Sequence, residues 1–169
     1  MKPLRGYEAL RRHRWSQQGF SYFVTLCTDH RQVGLDSDRV APVIRDELEA
    51  CASDGYWRLR GAVIMPEHLH LLAELTGDLP LGRIIARVKT KSRAAMSARG
   101  LRWQGNFYEH QLRAEEGVES VLYYLFLNPY RAGIITADQR YPWFWLNPVE
   151  AEWFKPSLDD GRPFPEWLR

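Results

Sequence analysis

The sequence predicts an α+β fold: an antiparallel sheet laid down in the order β-α-β-β-α-β, followed by one more helix. Three observations carry that expectation. Residues 20–28, with β-branched and aromatic residues in partial alternation, read as a strand, as do 56–64, 68–75 and 107–112. Between them, from Pro42 and from Leu81, apolar residues recur at helical spacing among charges. Only Met65-Pro66-Glu67 separates the second strand from the third, which is short enough for a hairpin. With 169 residues the chain suits one domain that buries a proper core.

Residues 1–20 read as a basic arm, with Lys2, Arg5, Arg11, Arg12 and Arg14 against the lone acid Glu8. The strand at 20–28 follows, then a polar connection over 29–39. In the first helix Val43, Ile44, Leu48 and Cys51 form the inward stripe; Pro42 suits its first turn and Gly55 its stop. Strands at 56–64 and 68–75 come next, then a turn at 76–80. A long helix runs to about residue 98, with Leu81, Ile84, Ile85, Val88, Ala95 and Met96 inward. Arg83, Arg87 and Lys91 recur every four residues on another of its faces, and Gly100 ends it. After the turn-like Trp103-Gln-Gly-Asn106 and the strand at 107–112, a third helix is expected over 116–127, stopping before Asn128-Pro129. Strand, helix, strand, strand, helix, strand is the order of the ferredoxin-like split β-α-β unit. The sheet then has its helices on one face, and the third helix is left over to pack near the histidines of the third strand. Residues 136–169, rich in Trp and Pro, are read as an extension packing on the same domain.

Composition is that of an ordinary globular protein, except for seven Trp and eight Tyr. Net charge is only +2, but the charge is unevenly placed: basic in the first twenty residues and over 83–99, acidic from Glu150 onward. Basic clusters beside aromatics are the footprint of a nucleic-acid binder, although a charged run is more often a solvated face. Cys27 and Cys51 have neither metal-ligand nor redox spacing and are expected to be reduced, buried thiols. No apolar segment follows the basic N-terminus and none reaches the length of a membrane span, so a soluble, cytoplasmic protein is expected.

Side chains two apart on a strand share a face, so His68 and His70 point together while Leu69 and Leu71 point the other way. Two imidazoles so placed can share a divalent metal ion, although a bare His-X-His is more often a core histidine beside a solvated one. On the third helix Tyr124 and Asn128 are four apart and share a face. Their hydroxyl and amide oxygen can both look toward such a metal. Tyr123 lies about 100° round the helix, so only one of the two tyrosines faces it squarely.

Met65-Pro-Glu-His68-Leu-His70-Leu, Trp103-Gln104 leading to Phe107-Tyr-Glu109-His110, and Tyr124-Leu-Phe-Leu-Asn128-Pro129-Tyr-Arg-Ala-Gly133 occur in one order. Together they resemble the single-tyrosine HUH transposases, in particular the REP-associated tyrosine transposases of bacteria, from about Arg11 to Gly133. The opening Arg14-Trp-Ser and Tyr22-Phe-Val-Thr are also similar. The resemblance implies that residues 21–135 form a catalytic domain, with Tyr124 as nucleophile and His68, His70 and Asn128 as metal ligands. It implies Mg²⁺ or Mn²⁺ as cofactor and single-stranded DNA folded as a palindromic hairpin as partner. The expected reaction is strand cleavage and transfer through a 5′-phosphotyrosine intermediate, in a nucleoid-associated cytoplasmic protein. The chain departs from the family near Phe126, where a His is common, and near Tyr130, where a Val is common. Arg11, Arg12, Arg14, Arg83, Arg87 and Lys91 are the expected phosphate contacts, and Trp15 and Trp103 the expected platforms for unpaired bases. Glu109 and His110 receive no catalytic role. A monomer is favoured over a homodimer, with the Trp- and Pro-rich tail holding the tyrosine helix against its own sheet. The alternatives are a domesticated DNA-hairpin-binding protein that does not cut, and a metal-dependent hydrolase that uses water and leaves Tyr124 a bystander.

Overall fold

A computed structural model describes residues 16–168. Its elements are β1 (Ser21–Cys27), α1 (Ala41–Ser53), β2 (Trp57–Ile64), β3 (His68–Leu75), α2 (Leu81–Ser97), β4 (Tyr108–Gln111), α3 (Val118–Arg131), β5 (Phe144–Leu146) and α4 (Pro148–Phe154). The five strands form one sheet in the order β4-β1-β3-β2-β5. Every neighbouring pair is antiparallel. The fold is therefore α+β, with the expected β-α-β-β-α-β unit extended by a fifth strand.

Alternation along the strands divides the apolar side chains between two cores. Val24 and Leu26 of β1 and Leu69, Leu71 and Ala73 of β3 turn to one face, where they meet Ile44 and Leu48 of α1 and Ile84, Ile85 and Val88 of α2. Phe23, Val63 and Leu72 turn to the other face and meet Leu122, Leu125 and Phe126 of α3. The sheet is thus covered on both sides, by α1 and α2 on one and by the tyrosine helix on the other.

Two inward positions differ from the periodic expectation. Val43 of α1 is exposed, because the buried stripe turns instead through Ala41, Ile44, Leu48 and Cys51. In α2 the buried position is Ser92 rather than Ala95. Its hydroxyl donates to the Val88 carbonyl and accepts from the Trp103 indole, so its burial leaves no polar group unsatisfied. Cys51 is buried and Cys27 half-buried, both as free thiols.

The third helix does not stop at Leu127 but runs through Asn128-Pro129 to Arg131. Proline removes a single backbone donor, and this one lies in the last turn. Beyond it, Gly133 takes a left-handed backbone, with φ +67°. The Ile134 and Gly133 amides then donate to the carbonyls of Pro129 and Tyr130, closing the helix as a Schellman turn. Asn128 is consequently a helical residue with a fixed direction.

The tail supplies β5 and α4. Phe154 is fully buried against α3, Arg60 of β2 pairs with both Glu150 and Glu74, and the Tyr141 hydroxyl donates to the Ile64 carbonyl. Among the described residues no helix is long and apolar enough to cross a membrane.

Candidate active site

Strand pairing assembles one end of the site. His68 and His70 lie in β3 opposite Cys27 and Thr25 of β1. Their rings stand 4.3 Å apart, centroid to centroid, at 68°. Each Nδ1 is held: that of His70 lies 2.8 Å from Thr25 Oγ1, and that of His68 lies 2.9 Å from Glu67 Oε1. With the proton on Nδ1, both rings present the lone pair of Nε2. Burial drives His70 down to about 3, helped by the neighbouring His68 and Arg31. Burial also lowers His68, against the opposing pull of Glu67. Both imidazoles are therefore neutral near pH 7, the form that binds a metal.

The helix supplies the other end. The Tyr124 ring lies 5.6 Å from the His70 ring and packs edge-on against Phe23 at 5.9 Å. It is 44% exposed. Tyr123 points elsewhere. Its ring packs on Phe154, Trp153 and Trp167, and its hydroxyl donates to Ser157 Oγ at 2.6 Å. Asn128 is half-buried one turn beyond Tyr124 on the same helix.

Among the described residues, no three His, Cys, Asp or Glu side chains are grouped as a metal site. A cation here would rest on two imidazoles plus neutral oxygens. That donor set, without thiolate and with both Nδ1 atoms anchored, fits a divalent ion whose remaining positions are filled by a phosphate ligand. Thr25 and Glu67 were not singled out from the sequence. Glu67 adjoins His68, which was a visible signal; Thr25 meets His70 only through the register of β1 on β3.

The expected DNA contacts fall in different places. Arg11, Arg12, Arg14 and Trp15 lie outside the described residues. Arg83 and Lys91 are exposed on α2, which covers the sheet face opposite the histidines. Arg87 is committed within the protein: Nε pairs with Glu47 at 2.5 Å, Nη1 pairs with Asp54 at 2.6 Å, and the guanidinium sits over Tyr56. Trp103 is half-buried against the α1–α2 core, with its indole donating to Ser92 Oγ. It borders a cavity of about 330 Å³ that Lys89, Arg93 and Arg102 also line.

No family model and no curated protein matches the chain. Among solved structures it is similar to a REP-associated tyrosine transposase bound to a REP hairpin, with TM-score 0.68 and 21% identity over 98% of this chain and 96% of that one. A crystal structure from Deinococcus radiodurans R1, provisionally described as a transposase, superposes with TM-score 0.48 at 22% identity over 76% of this chain and 97% of that one. The first likeness establishes a shared fold; the second is too distant to add to it.

Proposed function

We propose that this chain is a single-tyrosine HUH transposase, a strand-nicking and strand-joining enzyme acting on single-stranded DNA beside a palindromic hairpin. One observation carries the reading: of two adjacent tyrosines, Tyr124 stands open to solvent beside the paired histidines, while Tyr123 is tied into the tail. The shared fold with a transposase bound to a hairpin supports it.

Tyr124 Oη attacks the phosphorus of a phosphodiester and gives its proton to solvent. The P–O3′ bond breaks, and the departing oxygen takes up a proton to become a free 3′-hydroxyl. The 5′-phosphate remains on the tyrosine. Because the new ester keeps the energy of the old one, a different 3′-hydroxyl can reverse the step and join strands without ATP. A phenol with pKa near 10 attacks an anion poorly by itself. His68, His70 and the Asn128 amide would hold a Mg²⁺ or Mn²⁺ ion, which would neutralise charge growing on the phosphate. Thr25 and Glu67 keep the two rings aimed, and Phe23 fixes the tyrosine ring against His70.

The test is a denaturing gel of the protein with 5′- and 3′-labelled stem-loop oligonucleotides, with Mn²⁺ or with EDTA. A metal-dependent covalent adduct on the 3′-side fragment is expected, lost in Tyr124→Phe and kept in Tyr123→Phe. Hairpin binding without any adduct would refute cleavage and favour the binding-only alternative.

A further inference from the structure

Register places a second set of side chains beside the tyrosine. Along β1, Phe23 lies opposite Leu72 of β3 on one side and His110 of β4 on the other. All three therefore face α3, one pleat further along the sheet than the row that holds His70. Phe23, Leu112 and Val121 floor a hollow of about 190 Å³, and the Tyr124 ring forms one wall. His110 and Glu116 make its rim. The His110 Nε2–H donates to the Glu116 carboxylate at 2.8 Å, and the Arg113 amide donates to the same carboxylate at 2.7 Å. An apolar floor with two aromatic rings and a fixed polar rim, open on one side, suits a flat heterocycle with a hydrogen-bonding edge.

We infer that this hollow binds an unpaired nucleobase adjacent to the scissile phosphate, with His110 and Glu116 facing its edge. The inference rests on Tyr124 being the nucleophile. A phosphate within reach of Tyr124 Oη brings its flanking bases to the tyrosine ring, and the hollow begins at that ring. In single-stranded DNA such a base has no partner to lose, so it turns in at little cost, stacking face-on against one of the Phe23 and Tyr124 rings and edge-on to the other, since the two stand 72° apart. The pocket would hold the strand in register for in-line attack and add a base preference that hairpin recognition does not supply.

The probe is a pool of stem-loop oligonucleotides with degenerate single-stranded flanks, from which bound and cleaved sequences are recovered. Each flanking nucleotide of a recovered sequence is then made abasic in turn. One position is expected to weaken binding about tenfold when abasic, within the range for stacking a base on an aromatic ring. Ser120→Trp at the exposed mouth and Val121→Trp at the floor should fill the hollow and erase that abasic effect. His110→Ala should relax the base preference at that position alone. A covalent adduct with no abasic-sensitive flanking position refutes the pocket and leaves the proposed reaction standing. Abasic-sensitive binding that the Trp variants erase, without adduct, supports the pocket and refutes the reaction. Neither adduct nor abasic sensitivity refutes both.

Discussion

The position of the tyrosine helix depends on a glycine in the neighbouring strand. At Gly61 of β2 an added Cβ would lie 2.8 Å from Leu122 Cδ2 of α3 and 2.9 Å from Leu146 Cδ2 of β5. Carbon atoms settle at about 3.5–4.0 Å, so Gly61→Ala must open a gap of more than about half an ångström. Leu146 is half-buried and can swing outward, but Leu122 is fully buried in the core beneath α3, so much of the movement falls on the helix. Overpacking of this kind costs about 1–3 kcal/mol. At about 2–4 °C per kcal/mol for a chain of this size, Tm should fall by roughly 2–12 °C. Tyr124 lies two residues beyond Leu122 and moves with it. Adduct formation should therefore fall further than stability predicts, toward the roughly 10²-fold loss expected for a displacement near 1 Å. The assays are thermal unfolding and the rate of covalent adduct formation at saturating oligonucleotide, for Gly61→Ala alone and with Leu122→Val. The valine lacks the clashing δ-carbon, so the double variant should recover both quantities relative to Gly61→Ala. A Gly61→Ala protein with unchanged Tm and rate, or one that Leu122→Val fails to relieve, would refute the idea that this close approach sets the helix.

Other expectations follow from single contacts. Thr25→Val keeps the side chain's shape and removes the partner of His70 Nδ1; Mn²⁺ affinity, measured by calorimetry, should drop about 10–100-fold. Glu74 is raised by burial, but Arg58 and Arg60 override this and hold its carboxyl below the usual value. Its contribution to stability is present above the unfolded pKa near 4.5 and is lost as pH falls through the lower folded value. Urea unfolding of Glu74→Gln should accordingly lose less stability below pH 4.5 than the parent does. On α2, Lys91→Ala should reduce the slope of log K against log salt for DNA binding by about one. Arg87→Ala should leave the slope unchanged and cost up to about 1 kcal/mol of stability, because its charge already serves Glu47 and Asp54.

Much of this architecture can be read from local pattern. Period-two alternation alone puts His68 and His70 on one face and Leu69 and Leu71 on the other, since strand geometry allows no second arrangement. Helical spacing sets Tyr124 and Asn128 together and Tyr123 off to the side. The six-element order predicts the sheet, and the structure realises it as β4-β1-β3-β2. Local pattern fails where partners are distant in the chain. Asn128-Pro129 reads as a helix end, yet the helix continues, because packing of Pro129 and Tyr130 in the core and the turn at Gly133 outweigh one missing donor. A stripe of Arg83, Arg87 and Lys91 reads as one basic face, yet Glu47 and Asp54 of α1 claim its middle member.

The choice of tyrosine was likewise incomplete in the sequence. Helical geometry says that the two cannot share a direction. Only the tail, with Ser157, Trp153 and Phe154 drawn around Tyr123, and Phe23 drawn against Tyr124, decides which one faces the histidines. The same holds for Thr25 behind His70 and for Phe23 beside His110, pairs made by register between separate strands. The periodicities are legible in the chain alone, because they are properties of a single backbone segment. The tertiary structure decided the neighbours, because they depend on how segments far apart in the chain pack and pair.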